Sequence, residues 1–236
     1  MEKEANGNDR VLVIFAHPDD AEFTSGGTIG KWALEGRKVS YVVCTDGSKG
    51  AETDRIDTAD LIATRQTEQR RAAVILGVTD ITFLKCPDGE LVDNRGISAE
   101  LTRMIRVLRP QTLLTWDPWR PYQLHADHRV TGYAALDAVM AAGNPRYFPE
   151  QLVDGLEPHQ VEEVYLFGTD QPDIWVDISA SFDLKVEAIR QHSSQIGDWG
   201  EVIQHVTEWN SRVGRDKGFA YAESFKLLQP RCSICR

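Results

Sequence analysis

The stretch Val11–Gly30, VLVIFAHPDDAEFTSGGTIG, decides how the rest of the chain is read. Its opening, Val11–Ala16, is a near-continuous apolar run, the pattern of a strand covered on both faces in a parallel sheet. An acidic, histidine-bearing turn follows at once, carrying His17, Asp19, Asp20 and Glu22, and then a glycine-bearing helix start. Open α/β sheets place ligands at the carboxyl ends of their strands. The turn is therefore the candidate centre of a site.

Outward from this stretch, strands and helices alternate. Gly26–Glu35 reads as a helix closed near Gly36, and Lys38–Thr45 as a second apolar, β-branched strand. Asp46–Arg55 is polar and carries two glycines, which suits a loop at the same sheet edge. Ala59–Leu76 reads as an amphipathic helix with Leu61, Ala72, Ile75 and Leu76 on one face, its arginines and glutamines outward, and Gly77 as its stop. Ile81–Leu84 is a third strand, followed by the turn Pro87-Asp88-Gly89. Ser98 is placed to cap a helix running to Leu108, which Pro110 bars from continuing. Thr112–Trp116 is a fourth strand. The loop DPWRPYQLHADH (117–128) leads into a helix from about Arg129 to Ala142, and Asn144–Gln160 reads as a connecting excursion. Val161–Phe167 and Ile174–Ile178 are further strands, with Phe182–Gln195 and Gly200–Val213 as closing helices. Such spacing implies right-handed βαβ units. The expected architecture is a single-domain, Rossmann-like α/β fold, with a doubly wound, mostly parallel sheet and helices on both faces. It should span 11–228, with 1–10 an extended or disordered N-terminus and 229–236 a tail.

Bulk properties narrow the function classes. The chain has 236 residues, enough for one large core. A formal net charge of −10 argues against binding a nucleic-acid backbone. No window approaches the ~18 apolar residues of a membrane span. MEKEANGNDR has neither a basic nor an apolar leader region, so a cytoplasmic location is expected. Cys44 and Cys86 read as small core residues. Cys232 and Cys235 form a C-x-x-C without the second pair that a structural zinc site needs, and read as incidental tail residues.

A second chemistry-bearing cluster follows the fourth strand: His125, Asp127 and His128 in H-A-D-H. In a doubly wound sheet the first and fourth strands lie side by side where the strand order reverses, so the two clusters should face each other. Together they supply imidazoles and carboxylates, a donor mix suited to zinc or a similar divalent ion. They hold more groups than the roughly three ligands of a catalytic zinc. A surplus is expected if one carboxylate serves as general base, one imidazole steadies an oxyanion, and Asp127 holds a histidine in its tautomer. His159, His192 and His205 have no neighbouring cluster and read as surface or packing residues.

The motifs A-H-P-D-D-A-E (16–22), T-S-G-G-T (24–28) and H-A-D-H-R (125–129), with Arg65, Glu68 and Ala72 as an R-x-x-E-x-x-x-A element, resemble the LmbE-like or PIG-L superfamily of zinc-dependent N-deacetylases. The likeness runs from Val11 to about Leu228. Ala21 before Glu22 is closest in pattern to the bacillithiol-type branch, and Ala126 stands where many relatives have proline. The resemblance implies that His17, Asp20 and His128 bind the metal, which is zinc, or iron(II) or another divalent transition metal. It implies Asp19 as general base and then acid, His125 at the oxyanion side with Asp127 behind it, and Arg65 and Asp88 at sugar hydroxyls. The implied substrate is an N-acetylated amino sugar or N-acetylglucosaminyl conjugate, a small molecule handled by a homo-oligomer. An amidase of thiol S-conjugates and a natural-product or oligosaccharide deacetylase remain open within the same class. A nucleotide-binding Rossmann module is the rival from another class, with Asp46 as its ribose-binding acid. Against it, Gly26, Gly27 and Gly30 come well after the strand, no G-x-G-x-x-G stands at the turn, and the acidic turn would repel a pyrophosphate. A non-catalytic sugar binder would have no use for the spare carboxylate. The aromatic loop Trp116–Tyr122 offers rings for stacking on a sugar.

Overall fold

The computed structural model of the protein describes residues 9–51, 56–92 and 95–230. Seven strands form one sheet: β1 (Arg10–Phe15), β2 (Lys38–Thr45), β3 (Asp80–Cys86), β4 (Thr112–Trp116), β5 (Glu163–Phe167), β6 (Ile174–Asp177) and β7 (Ala222–Leu228). Their order is β3-β2-β1-β4-β5-β7-β6. The first five strands are mutually parallel, while β7 lies antiparallel between β5 and β6. The order reverses between β1 and β4, in register Val11↔Thr112 to Val13↔Leu114, so the two chemistry-bearing turns leave the sheet side by side.

The central strands are apolar on both faces because both faces are covered. Val11, Val13 and Phe15 of β1 join one core with α1 (Asp20–Leu34), α2 (Thr58–Ile75), α6 (Phe182–Arg190) and α7 (Trp199–Arg215). Leu12 and Ile14 point the other way, into a core closed by α3 (Arg95–Leu108) and α4 (Ala126–Ala142). A short α5 (Pro149–Val153) lies within the 144–160 excursion. The single-domain, mostly parallel, doubly wound architecture is the one expected.

The differences from expectation cluster near the site. The first helix begins at Asp20, not Gly26, because Asp19 takes a left-handed conformation (φ 106, ψ −28) and turns the chain straight from strand to helix. The glycines therefore sit inside α1, where they permit close approach: a Cβ on Gly27 would lie 2.5 Å from Ile178 Cδ1. Arg65, Glu68 and Gln69 of α2 are buried, not outward, since that stretch of helix covers the acidic turn. Ser98 lies within α3 instead of capping it, and α6 ends at Arg190. The fourth helix starts at Ala126, which puts His125 at its N-cap and Asp127 and His128 in its first turn. The seventh strand was not expected. Its sequence, AESFKLL, buries Glu223 beside α1, where the carboxylate accepts Gly27 and Thr28 N–H (3.0 and 2.7 Å) and pairs with buried Lys185 (2.6 Å). An inward charge hides the strand pattern. Cys232 and Cys235 lie outside the described residues.

Candidate metal and catalytic site

His17 lies at the end of β1 with each ring nitrogen facing a different set of partners. Nε2 stands 3.2 Å from Asp127 Oδ2 and 3.2 Å from Asp88 Oδ1. Two carboxylates there hold a proton on Nε2, so Nδ1, which faces into the site, is the nitrogen that can take a metal ion once it gives up its own proton. Facing it at 3.2 Å is His128 Nε2, which is also 3.3 Å from Asp20 Oδ1. Asp20 Oδ2 is spent on structure: it accepts Ala16 N–H (3.1 Å), His17 N–H (2.9 Å) and Trp116 Nε1–H (3.1 Å), leaving Oδ1 toward the histidines. Two imidazole nitrogens and a carboxylate oxygen thus converge, an arrangement that needs a cation or a shared proton at its centre. The Trp116 ring stacks on His128 (centroids 3.8 Å, 13°), and His125 stacks on the other face (4.4 Å, 15°).

Electrostatics agree with a site built for positive charge. Burial alone would lower the His17 pKa, but hydrogen bonds to Asp127, Asp20 and Asp88 push it up to about 12. Burial would raise Asp20, yet the His128 and His17 partners hold its carboxyl well below the usual range. Asp127 and Asp88 are likewise lowered, against their burial, mainly by His17. Asp19 behaves differently. Burial and then the Asp20 carboxylate push it up to about 7, against the pull of Arg65. His125, on the exposed rim, is lowered by partial burial and by the two neighbouring histidines.

All eight residues singled out from the sequence meet around this point, with two changes of partner. Asp127 does not stand behind His125: its oxygens accept Gly89 and Leu91 N–H (2.7 and 3.3 Å) and face His17, because the first turn of α4 points this side chain down toward the sheet. Arg65 is a wall of the site. Its guanidinium donates to Gly47 O (2.9 Å), Pro18 O (2.7 Å) and Asp19 Oδ2 (3.2 Å). Asp88 accepts Lys49 N–H at 3.0 Å in addition to facing His17. Trp116, Gln69, Glu22 and His192 also build the site; the sequence places Glu22 in the acidic turn and Trp116 in the aromatic loop, and gives Gln69 and His192 no part in it. Glu22 within A-H-P-D-D-A-E and the tryptophan closing the fourth strand were the available signals. His192 is wholly buried and faces Glu22 at 3.3 Å. His17 with His125 and His128, and His17 with Asp88 and Asp127, each bring possible ligand atoms within 4.8 Å of one another, so a metal ion can be held here.

Comparison with known proteins finds deacetylases. The family model described as "PIG-L: GlcNAc-PI de-N-acetylase" matches residues 12–139. Diacetylchitobiose deacetylase of Thermococcus kodakarensis is 36% identical over 93% of this chain and 83% of its own length. A 1D-myo-inositol 2-acetamido-2-deoxy-alpha-D-glucopyranoside deacetylase of Mycobacteroides abscessus is 30% identical over 79% of this chain and 81% of its own. The structure of N,N'-diacetylchitobiose deacetylase from Pyrococcus horikoshii superposes with a TM-score of 0.90 at 34% identity, covering 94% of this chain and 84% of that one.

Proposed function

We propose, from the premise that this chain belongs to the PIG-L family of GlcNAc-PI de-N-acetylases, that it hydrolyses the N-acetyl amide of an amino sugar, and that His17 Nδ1, Asp20 Oδ1 and His128 Nε2 hold a catalytic divalent metal, with zinc as the first choice. The observation that carries this reading is the convergence of those three atoms beside an unspent carboxylate, Asp19. Ligand atoms around one tetrahedral zinc at about 2.0–2.1 Å stand roughly 3.3 Å apart, and the contacts His128–His17 and His128–Asp20 are 3.2 and 3.3 Å. The alternative set with Asp88 and Asp127 fits less well, because it uses the protonated nitrogen of His17 and carboxylates already accepting backbone N–H.

When bound, such a cation supplies Lewis acidity to water and to the acetyl carbonyl. The chain's own groups do the rest. Asp19 takes a proton from the attacking water and returns it to the departing amine, so that amide and water become acetate and free amine. His125, on the rim, hydrogen-bonds the carbonyl oxygen as charge gathers there. Asp127 and Asp88 keep the His17 proton on Nε2. Arg65 steers Asp19. The exposed rings of Trp119 and Tyr122, in the loop that leads into His125 (57% and 95% accessible), offer a stacking platform for the sugar, which favours an N-acetylglucosaminide.

The test joins metal analysis to acetate release from N,N'-diacetylchitobiose and N-acetylglucosamine conjugates. Asp19→Ala should keep its metal and lose on the order of 10²–10⁴ in kcat, the usual worth of general acid–base catalysis. Near-wild-type turnover in that variant would overturn the base assignment.

A further inference from the structure

The acidic turn contains one carboxylate that the mechanism leaves idle. Glu22 is wholly buried beneath Asp19, together with Gln69, Tyr41 and His192. Above it, Asp19 holds a left-handed conformation (φ 106), which is strained for a non-glycine residue and persists only where its surroundings impose it. Helix α2 imposes it at two successive turns. Arg65 grips the Pro18 carbonyl and the Asp19 carboxylate, and four residues on, Gln69 Oε1 accepts the Asp19 backbone N–H at 2.8 Å.

The Gln69 amide has one workable orientation. Its Nε2 donates to Glu22 Oε1 at 2.8 Å, so a flipped amide would set NH2 against the Asp19 N–H and a carbonyl against a carboxylate. Glu22 is fixed in turn: Tyr41 OH donates to Oε1 (3.3 Å), and His192 Nε2 lies 3.3 Å from Oε2. The segment bearing His192 is tied to the same helix, since Glu68 accepts Ser193 Oγ–H, Ser194 N–H and Ser194 Oγ–H at 3.0, 2.8 and 2.6 Å. The hydrogen-bonded chain runs from Tyr41 through Glu22 and Gln69 and ends on the backbone of Asp19, while His192 faces Glu22 without closing a hydrogen bond.

We propose that Gln69, oriented by Glu22, is a positioning residue that locks Asp19 in the strained conformation from which its carboxylate meets the attacking water. The proposal rests on the base role given to Asp19 above. Losing the acceptor frees the strained peptide to relax, and small misplacements at a reacting group are expensive in rate.

Gln69→Met removes both hydrogen bonds at similar volume. It should lower kcat roughly 10–100-fold with KM changed by less than about threefold, and leave metal content as in the wild type. Backbone amide exchange at Asp19 should accelerate in the same variant, a readout independent of turnover. Glu22→Gln, which still offers Gln69 and Tyr41 an oxygen, should retain more kcat than Glu22→Leu. A folded Gln69→Met with undiminished kcat, or with unchanged exchange at Asp19, overturns the proposal, as does parallel loss of metal and activity. Should that variant not fold, Gln69→Glu replaces it: it keeps an oxygen for the Asp19 amide but sets a carboxylate against Glu22, so kcat must fall. Full activity there, or failure to fold as well, assigns the cluster to stability alone. If the wild type releases no acetate, the functional reading fails while the exchange result still judges the network.

Discussion

Trp116 touches two of the proposed ligands at once, through an indole N–H to Asp20 and a ring face against His128. Residues that orient metal ligands typically change affinity 10–100-fold when altered. Trp116→Phe keeps a stacking face and loses the donor, so metal affinity measured by chelator competition should fall about tenfold, toward the lower end of that range. Trp116→Leu, lacking both, should fall further. At this scale the chain was largely readable. His17, Asp19, Asp20, His125 and His128 are uncommon residues bunched at strand ends, and bunching survives in one dimension. The partner of Asp127 was not readable, because which way a helix's first turn points depends on where that helix lies against the sheet.

Among elements, the α3–α4 pair carries a buried guanidinium with no catalytic task. Arg106 donates to the carbonyls of Ala141, Ala142, Asn144, Tyr147 and Phe148 and to Gln151 Oε1. It thereby satisfies the open C-terminal end of α4 and anchors the excursion that follows. Arg106→Ala leaves several buried acceptors unpaired and should destabilise the fold by at least about 3 kcal/mol in urea denaturation. Arg106→Lys, with three donors on a compact head, should recover only part of that. On sequence alone this arginine was one more polar residue on the helix running to Leu108. The outward placement expected of the arginines and glutamines of α2 fails at Arg65 and Gln69 for the same reason: a polar residue facing a buried polar site cannot be told by type from one facing water.

For the molecule as a whole, the proposed metal would couple to stability and to pH. Ligand binding to the folded state at ~1,000 times its dissociation constant adds about 4 kcal/mol. Chelation should therefore lower the melting temperature, and zinc should restore it. The pH sign follows from His17. Without metal, its carboxylate partners raise its pKa from 6.5 to about 12, so at neutral pH the metal must displace a proton. Metal affinity should then rise with pH, and calorimetry in buffers of differing ionisation enthalpy should register proton release on binding. In the metal-free chain the same raised pKa adds stability that is complete below 6.5 and disappears only as pH climbs toward 12. A metal affinity independent of pH would contradict the assignment of His17.

The adjacency of the first and fourth strands, the meeting of residues 17–20 with 125–128 and the deacetylase motifs were all present in one dimension, because apolar runs and spaced clusters are local signals and parallel crossovers allow few topologies. What required three dimensions was the supporting layer: β7 with its inward Glu223, the Gln69–Glu22–His192 chain and the Trp116 stack. Each joins residues far apart in the chain through contacts between unremarkable side chains. Such contacts leave no periodicity behind, since they are set by how the finished elements pack.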